Sequence, residues 1–252
     1  MKKNVLKISI LCFLSISFIG KSFGQAALSD SLPVKAIVAK TTTGFYKSIG
    51  QESRLYNGHE YPPYDPHIKG NALFPYDVQS WEPGQVNYDG VVYNNVPMMY
   101  DIYKDAVVIL LFNKFSMFSL VSNRVHDFSF DSHHFVRVEA DQSSDDKSGI
   151  TTGFYDQLYG GKTEVLAKRR KTIQTSSNAV AAPETFFVST NDYYIKKGKN
   201  YYKISGPRSV LNVLKEKKSE LQQYLRENRT QFRDNMEEAM AKIAAYYDHL
   251  TN

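Results

Sequence analysis

Tyr88-Asp89-Gly90-Val91-Val92-Tyr93 reads as the tip of a β-hairpin, and the rest of the fold can be worked out from it. Asp-Gly supplies the two positive φ angles that a two-residue hairpin turn needs. The aromatic and β-branched residues on either side are those that pleated strands favour. Tyr56-Asn57-Gly58-His59-Glu60-Tyr61 has the same form and predicts a second tip. Between them, Tyr61-Pro62-Pro63-Tyr64-Asp65-Pro66 carries too many prolines for a central strand and predicts an extended loop.

Toward the C-terminus the β pattern continues. Strands are expected at 96–103, 106–113, 115–121, 125–130 and 134–139. Val107 to Phe112 is apolar without alternation, which predicts a strand buried on both faces. A polar break at 141–149 follows, then a hairpin of 153–159 and 164–173 about Gly160-Gly161. A loop is expected at 175–185, and 192–195 with 200–204 closes the series. Consecutive hairpins of this length predict a β-rich body over 44–205, an antiparallel meander forming a barrel or a sandwich.

After Gly206-Pro207 the period changes. Leu211, Leu214, Lys218, Leu221 and Leu225 fall three and four apart in alternation, and Phe232, Met236, Met240, Ile243, Tyr247 and Leu250 nearly so, opening with two steps of four. Each set lines one helical face, so 206–252 is expected to be an antiparallel helical hairpin with Ser209 as its N-cap. Lys218 stands on the apolar stripe as a misfit. Such short helices are marginal alone and must pack on the body or on a partner. The fold class is thus α+β, mostly β.

The other end of the chain carries a different message. Lys2, Lys3 and Lys7 precede an apolar run from Ile8 to Ile19, which ends in Ser22-Phe23-Gly24. That is the layout of an export signal over 1–24. As a helix the run would reach only about 18 Å, against a hydrocarbon core of roughly 30 Å. Gln25 is the expected mature start, and 25–43 reads as a tether. Within it Asp30-Ser31-Leu32 matches the Asp-Ser/Thr-aliphatic O-glycan acceptor of Bacteroidota, or is plain linker. The signal's four lysines account for four of the five formal positive charges, so the remainder is nearly neutral and no nucleic-acid partner is expected. The single cysteine, Cys12, leaves with the signal. Disulfides, thiolate metal sites and cysteine nucleophiles are thereby excluded. No later apolar run is long enough for a transmembrane segment.

Three groups of residues are candidates for chemistry. The first is His126-Asp127 with Asp131, His133 and His134, whose imidazoles and carboxylates are metal-ligand types. Strand alternation turns neighbours to opposite faces, so at most His126, Asp131 and His134 could share a site, and no metal or cofactor is expected. The second is aromatic: Trp81, in the loop Ser80-Trp81-Glu82-Pro83-Gly84, with Tyr61, Tyr64 and Tyr93 as stacking surfaces for a ligand. The third is Lys168-Arg169-Arg170-Lys171, which either binds a polyanion or is neutralised by carboxylates of the acidic part of the body. There is no Gly-x-Ser-x-Gly elbow, phosphate loop or dinucleotide fingerprint.

Four segments, Val96-Pro97-x-x-Tyr100-Asp101, Thr152-Gly153-Phe154-Tyr155-Asp156-x-Leu158-Tyr159-x-Gly161, Lys217-Lys218-x-Glu220-Leu221-x-x-Tyr224-Leu225-x-x-Asn228 and Ala244-Ala245-Tyr246-Tyr247-Asp248-x-Leu250, together resemble a family of secreted Bacteroidota proteins with no assigned activity. The resemblance implies a Gram-negative periplasm or cell surface. The function expected is that of a non-enzymatic envelope protein binding a protein partner or a glycan. The alternatives are a metal-dependent hydrolase using 126–134 and a structural subunit docking through its C-terminal helices.

Overall fold

The computed structural model describes residues 54–75, 80–140, 148–176, 182–228 and 235–251, with Phe232 and a few positions between 37 and 48. The export segment lies outside the described residues, as does nearly all of the tether.

The hairpin that opens the argument is present. β3 (Glu82–Tyr88) and β4 (Val91–Asp101) pair with Tyr88 opposite Val91, and Asp89 and Gly90 take φ of 52° and 77° between them. Its look-alike is not a hairpin. Arg54–Tyr56 is a single 3-10 turn, and β1 (His59–Glu60) pairs with the distant β6 (Met117–Ser119). Gly58 serves a different purpose there: a Cβ on it would stand 2.2 Å from the Ser119 carbonyl oxygen. The glycine permits two backbones to approach and makes no turn.

All the strands pair antiparallel, in the order β1-β6-β5-β4-β3-β7-β8-β9-β10-β11-β12, with the short β2 (Leu73–Phe74) on β4. The path is open, with β1 and β12 at its ends, so the sheet is not a closed barrel. It consists of two meanders. The first runs β3, β4, β5 (Ala106–Leu110), β6; the chain then passes back over three strands, through the 3-10 turn Ser122–Arg124, to the free side of β3. From there β7 (Val125–Phe130), β8 (His133–Val138), β9 (Gly153–Gly160), β10 (Thr163–Ser176), β11 (Glu184–Lys197) and β12 (Asn200–Ile204) follow in order.

Packing explains the aromatic composition. Tyr100, Phe128, Phe135 and Phe154 meet across four strands, with Phe128 stacked on Phe135 at 4.8 Å and Tyr100 edge-on to Phe135 at 4.8 Å. β5 is buried on both faces from Ala106 to Ile109, where Val107 and Ile109 enter this core and Val108 packs behind it with Tyr61, Leu73 and Met99. The apolar run outlasts the strand, which ends at Leu110 and leaves Phe112 exposed. The proline-rich strap after β1 forms that second layer, and it reaches β11 through a parallel bridge between Lys69 and Phe186.

Among its described residues the C-terminal part holds three helices, α1 (Pro207–Val213), α2 (Lys218–Glu227) and α3 (Met236–Leu250). Pro207 opens α1 with Gly206 as N-cap. Ser209 acts from inside the first turn, its Oγ accepting from the Gly206 N–H at 3.1 Å. The helix expected to run on from Leu211 breaks at Leu214 into the 3-10 turn Lys215–Lys217. The break shifts the helical phase, so Leu221 is buried and Lys218 is turned to solvent. Leu211, Leu214, Leu221, Met240, Ile243 and Ala244 then pack on Val165, Ile195 and Ile204 of the sheet. The apolar stripe of the helices is therefore covered by the chain's own strands.

Candidate functional site

A cleft of about 660 Å³ opens where β4 and β5 part beyond the Met98–Ile109 pair. One wall is β4, contributing Val92, Tyr93 and Val96. The opposite wall is the end of β5 and its turn, with Leu111, Phe112 and Lys114. Leu55, Tyr56 and Trp81 close the ends. The sequence builds this locally. Asn113 stops β5, its Oδ1 accepting from Phe115 N at 3.0 Å and Ser116 N at 2.9 Å, and this tight turn holds Phe112 outward against Tyr56 with ring centroids 4.7 Å apart. Burial pushes the Tyr56 phenol up from its ordinary range. Three large apolar side chains remain exposed at or beside the cleft: Val92 (41%), Phe112 (48%) and Phe115 (87%). Scattered apolar exposure is ordinary, but here it rims a concave aromatic surface. The described lining residues offer ring faces, the amides of Asn94 and Asn95 and one ammonium. They include no carboxylate or imidazole, and the ring faces make the arrangement suited to stacking a flat ligand.

Two of the four aromatics singled out from sequence, Trp81 and Tyr93, are in this cleft. Trp81 stands immediately before β3, because the loop expected around it is already strand from Glu82 onward. Tyr61 and Tyr64 lie elsewhere, in the strap. Both hydroxyls donate to the buried Asp101 carboxylate, at 2.9 and 2.6 Å, and Lys104 sits over both rings at 4.6 and 4.4 Å. Burial, with the Asp101 carboxylate beside them, pushes both phenols well above their ordinary range. These two tyrosines hold the strap down.

A second cleft, of about 520 Å³, adjoins the first and shares Asn94 and Asn95 with it. Its other lining includes Gln85, Phe130 and the β7–β8 turn from Asp131 to His134. Asp131 and Ser132 take φ of 47° and 63°, the geometry of a two-residue hairpin turn. His134 Nδ1 is 2.8 Å from Ser129 Oγ, and His133 Nδ1 is 2.9 Å from Asp156 Oδ2. His126 is remote from both, exposed at the β-bulge where β7 slips against β3. His126, Asp131 and His134 do not converge, and among the described residues no three His, Asp or Glu side chains are placed to hold a metal ion.

The basic quartet forms no exposed face. Lys168 donates to Asp105 Oδ2 at 2.7 Å and to the Phe154 carbonyl at 3.0 Å. Burial lowers its pKa, and the Asp105 carboxylate opposes that shift. Arg169 donates to Asp156 Oδ2 at 2.6 Å and to both oxygens of Glu237 on α3, which also accepts from Tyr193 at 2.7 Å. Arg170 pairs with Asp192, and Lys171 Nζ donates to the carbonyls of Asn71 and Leu73, each at 2.9 Å. Lys168, Arg169 and Lys171 are all buried. The quartet ties β10 to the β4–β5 turn, to the strap and to α3.

Sequence reasoning missed Tyr56, Phe112, Asn94 and Asn95 in the aromatic cleft, and Asp101, Asp105, Asp156 and Glu237 in the buried networks. Consecutive asparagines inside an aromatic strand were the available signal. Asn95 takes φ of 55° at the bulge between β3 and β4, a conformation asparagine tolerates better than most residues. No family model, curated protein or solved structure matches this chain, so its likeness to the secreted Bacteroidota family is carried by the quoted residues alone.

Proposed function

We propose that this chain is an exported, non-enzymatic protein of a Gram-negative envelope that binds a glycan in the aromatic cleft. The observation carrying this reading is the cleft itself: Trp81, Tyr56, Tyr93 and Phe112 around one concavity. Ring faces bind the apolar faces of sugars, as they bind other flat, amphipathic partners. Export rests on Lys2, Lys3 and Lys7, the short apolar run and Ser22-Phe23-Gly24. Intact-mass measurement of the secreted protein should give Gln25 as the first residue, with no acyl group. The hydrolase alternative has no converging ligand set among the described residues. Docking through the helices is disfavoured by the cover their stripe already has.

Calorimetric titration with neutral oligosaccharides tests the binding. Trp81→Ala and Phe112→Ala should each weaken it by about tenfold or more, a loss of roughly 1.4 kcal/mol or greater. Phe112 is half exposed, so its variant should keep the wild-type melting temperature. Binding unchanged in both variants would remove the cleft from consideration. A protein partner is the second reading, favoured by the exposure of Phe112 and Phe115. Phe115→Ser separates the two: a crosslinked protein partner would be lost with it, and glycan binding would not.

A further inference from the structure

The two clefts meet at Asn94 and Asn95 and differ in chemistry, which makes them complementary parts of one surface. We propose, resting on the glycan reading above, that the ligand is a neutral oligosaccharide that stacks in the aromatic cleft, crosses the Asn94–Asn95 bulge and places its next sugars in the polar cleft.

Three observations carry this. The first is the donor and acceptor set. Gln85, Asn94, Asn95 and Ser132 present amides and a hydroxyl, which offer donors and acceptors together, as a sugar's neighbouring hydroxyls require. The second is preorganisation. Gln85 Nε2 donates to Asn94 Oδ1 at 2.5 Å, and Ser129 and Asp156 each engage the Nδ1 of one imidazole. His134 and His133 are thus oriented from behind, each with Nε2 left for another partner. Groups already fixed lose little entropy when they bind. The third is charge. Among the described residues, Asp131 is the one carboxylate lining the polar cleft, and no lysine or arginine lines it. Uronate, sulfate or phosphate groups would meet the like charge of Asp131 there, with no permanently charged lysine or arginine among the described lining residues of that cleft to offset it. Each cleft falls within the roughly 300–1,000 Å³ usual for small-ligand sites, and together they accommodate a chain rather than a single sugar.

The test is calorimetric titration of the full exported chain with a length series from disaccharide to hexasaccharide. Gluco-, manno- and N-acetylglucosamine oligomers make up the neutral set, beside uronate oligomers of the same lengths. Affinity for the neutral series should rise about tenfold or more between disaccharide and tetrasaccharide, that is by roughly 1.4 kcal/mol. His134→Ala and Gln85→Ala should each reduce that gain and leave the disaccharide affinity as it was. Uronate oligomers should show no gain with length. Disaccharide binding that depends on Trp81 but stays flat along the series would overturn the second subsite and leave the aromatic cleft intact. So would a gain that survives both substitutions. A uronate series that gains equally would overturn the assignment to neutral sugars. If no neutral oligosaccharide binds at any length, this inference and the glycan reading beneath it both fail.

Discussion

Arg169 is a buried guanidinium held between two carboxylates on different elements. Removing one partner of such a group leaves an uncompensated buried charge, which costs about 3–5 kcal/mol. Arg169→Met should therefore lower unfolding free energy by that order in chemical denaturation. With His133 neutral, Asp156, Arg169 and Glu237 together carry one excess negative charge. Protonating His133 cancels it, and the hydrogen bond to Asp156 chiefly raises the His133 pKa above its ordinary 6.5. A raised folded value means the stabilisation is complete below about pH 6.5 and is lost as pH rises through the higher folded value. The melting temperature should therefore fall between pH 6 and pH 8, and His133→Asn should flatten that slope. An equal slope in the variant would assign it to another group. Neutralisation by carboxylates of the acidic part of the body was one of the two readings open to the run Lys168-Arg169-Arg170-Lys171, but its burial and the identity of its partners were not legible. The partners of Lys168 and Arg169 lie 63 residues away at Asp105 and 68 away at Glu237, and no local spacing encodes them.

Among the elements, those with strong periodicity or unambiguous turn chemistry were legible. β7 and β12 fall where alternation puts them, and the Asp89-Gly90 tip and the buried β5 follow from residue type alone. Gly58 shows where that reading stops: a glycine needed for backbone approach has the same letter as one needed for a turn. Gly58→Ala should destabilise the protein and loosen β1 from β6, seen as faster amide exchange at 117–119, since the Cβ has no room beside Ser119. The helices give a second case. Strict continuation of the stripe puts Lys218 inward, and the break at Leu214 turns it out. Lys218→Glu should accordingly change stability by no more than about 0.5 kcal/mol. Leu221→Ala, at a fully buried position, should cost about 2–5 kcal/mol by the same measurement. Equal effects of the two would mean the helix is not rephased.

For the whole molecule, composition and turn spacing led to a β-rich body with C-terminal helices, and the structure has both. Strand order was beyond reach: the sequence suggested a meander broken at the polar stretch 141–149, whereas β8 and β9 on either side of it pair and the chain's return falls between β6 and β7. The return of the chain to β3 is decided by the complementarity of Val86, Tyr88, Val125 and Phe128, which belong to one core and are remote in sequence. That return also has a consequence in time. β3 pairs early with its neighbour β4 across two residues, but its other edge must wait for residues some 40 positions on, Gln85 opposite Ser129 and Asn87 opposite Asp127. Closing so long a segment is entropically slow compared with forming a hairpin, and every strand from β8 to β12 is added beyond that seam. The seam is thus expected to be the rate-limiting step of folding. In stopped-flow refolding, Val86→Ala or Phe128→Ala should slow folding, whereas Ile195→Val on the late-added β11 should mainly hasten unfolding. A chain folding from the unfolded state would pass through an interval with one edge of β3 bare, the moment at which it is most open to association with another copy.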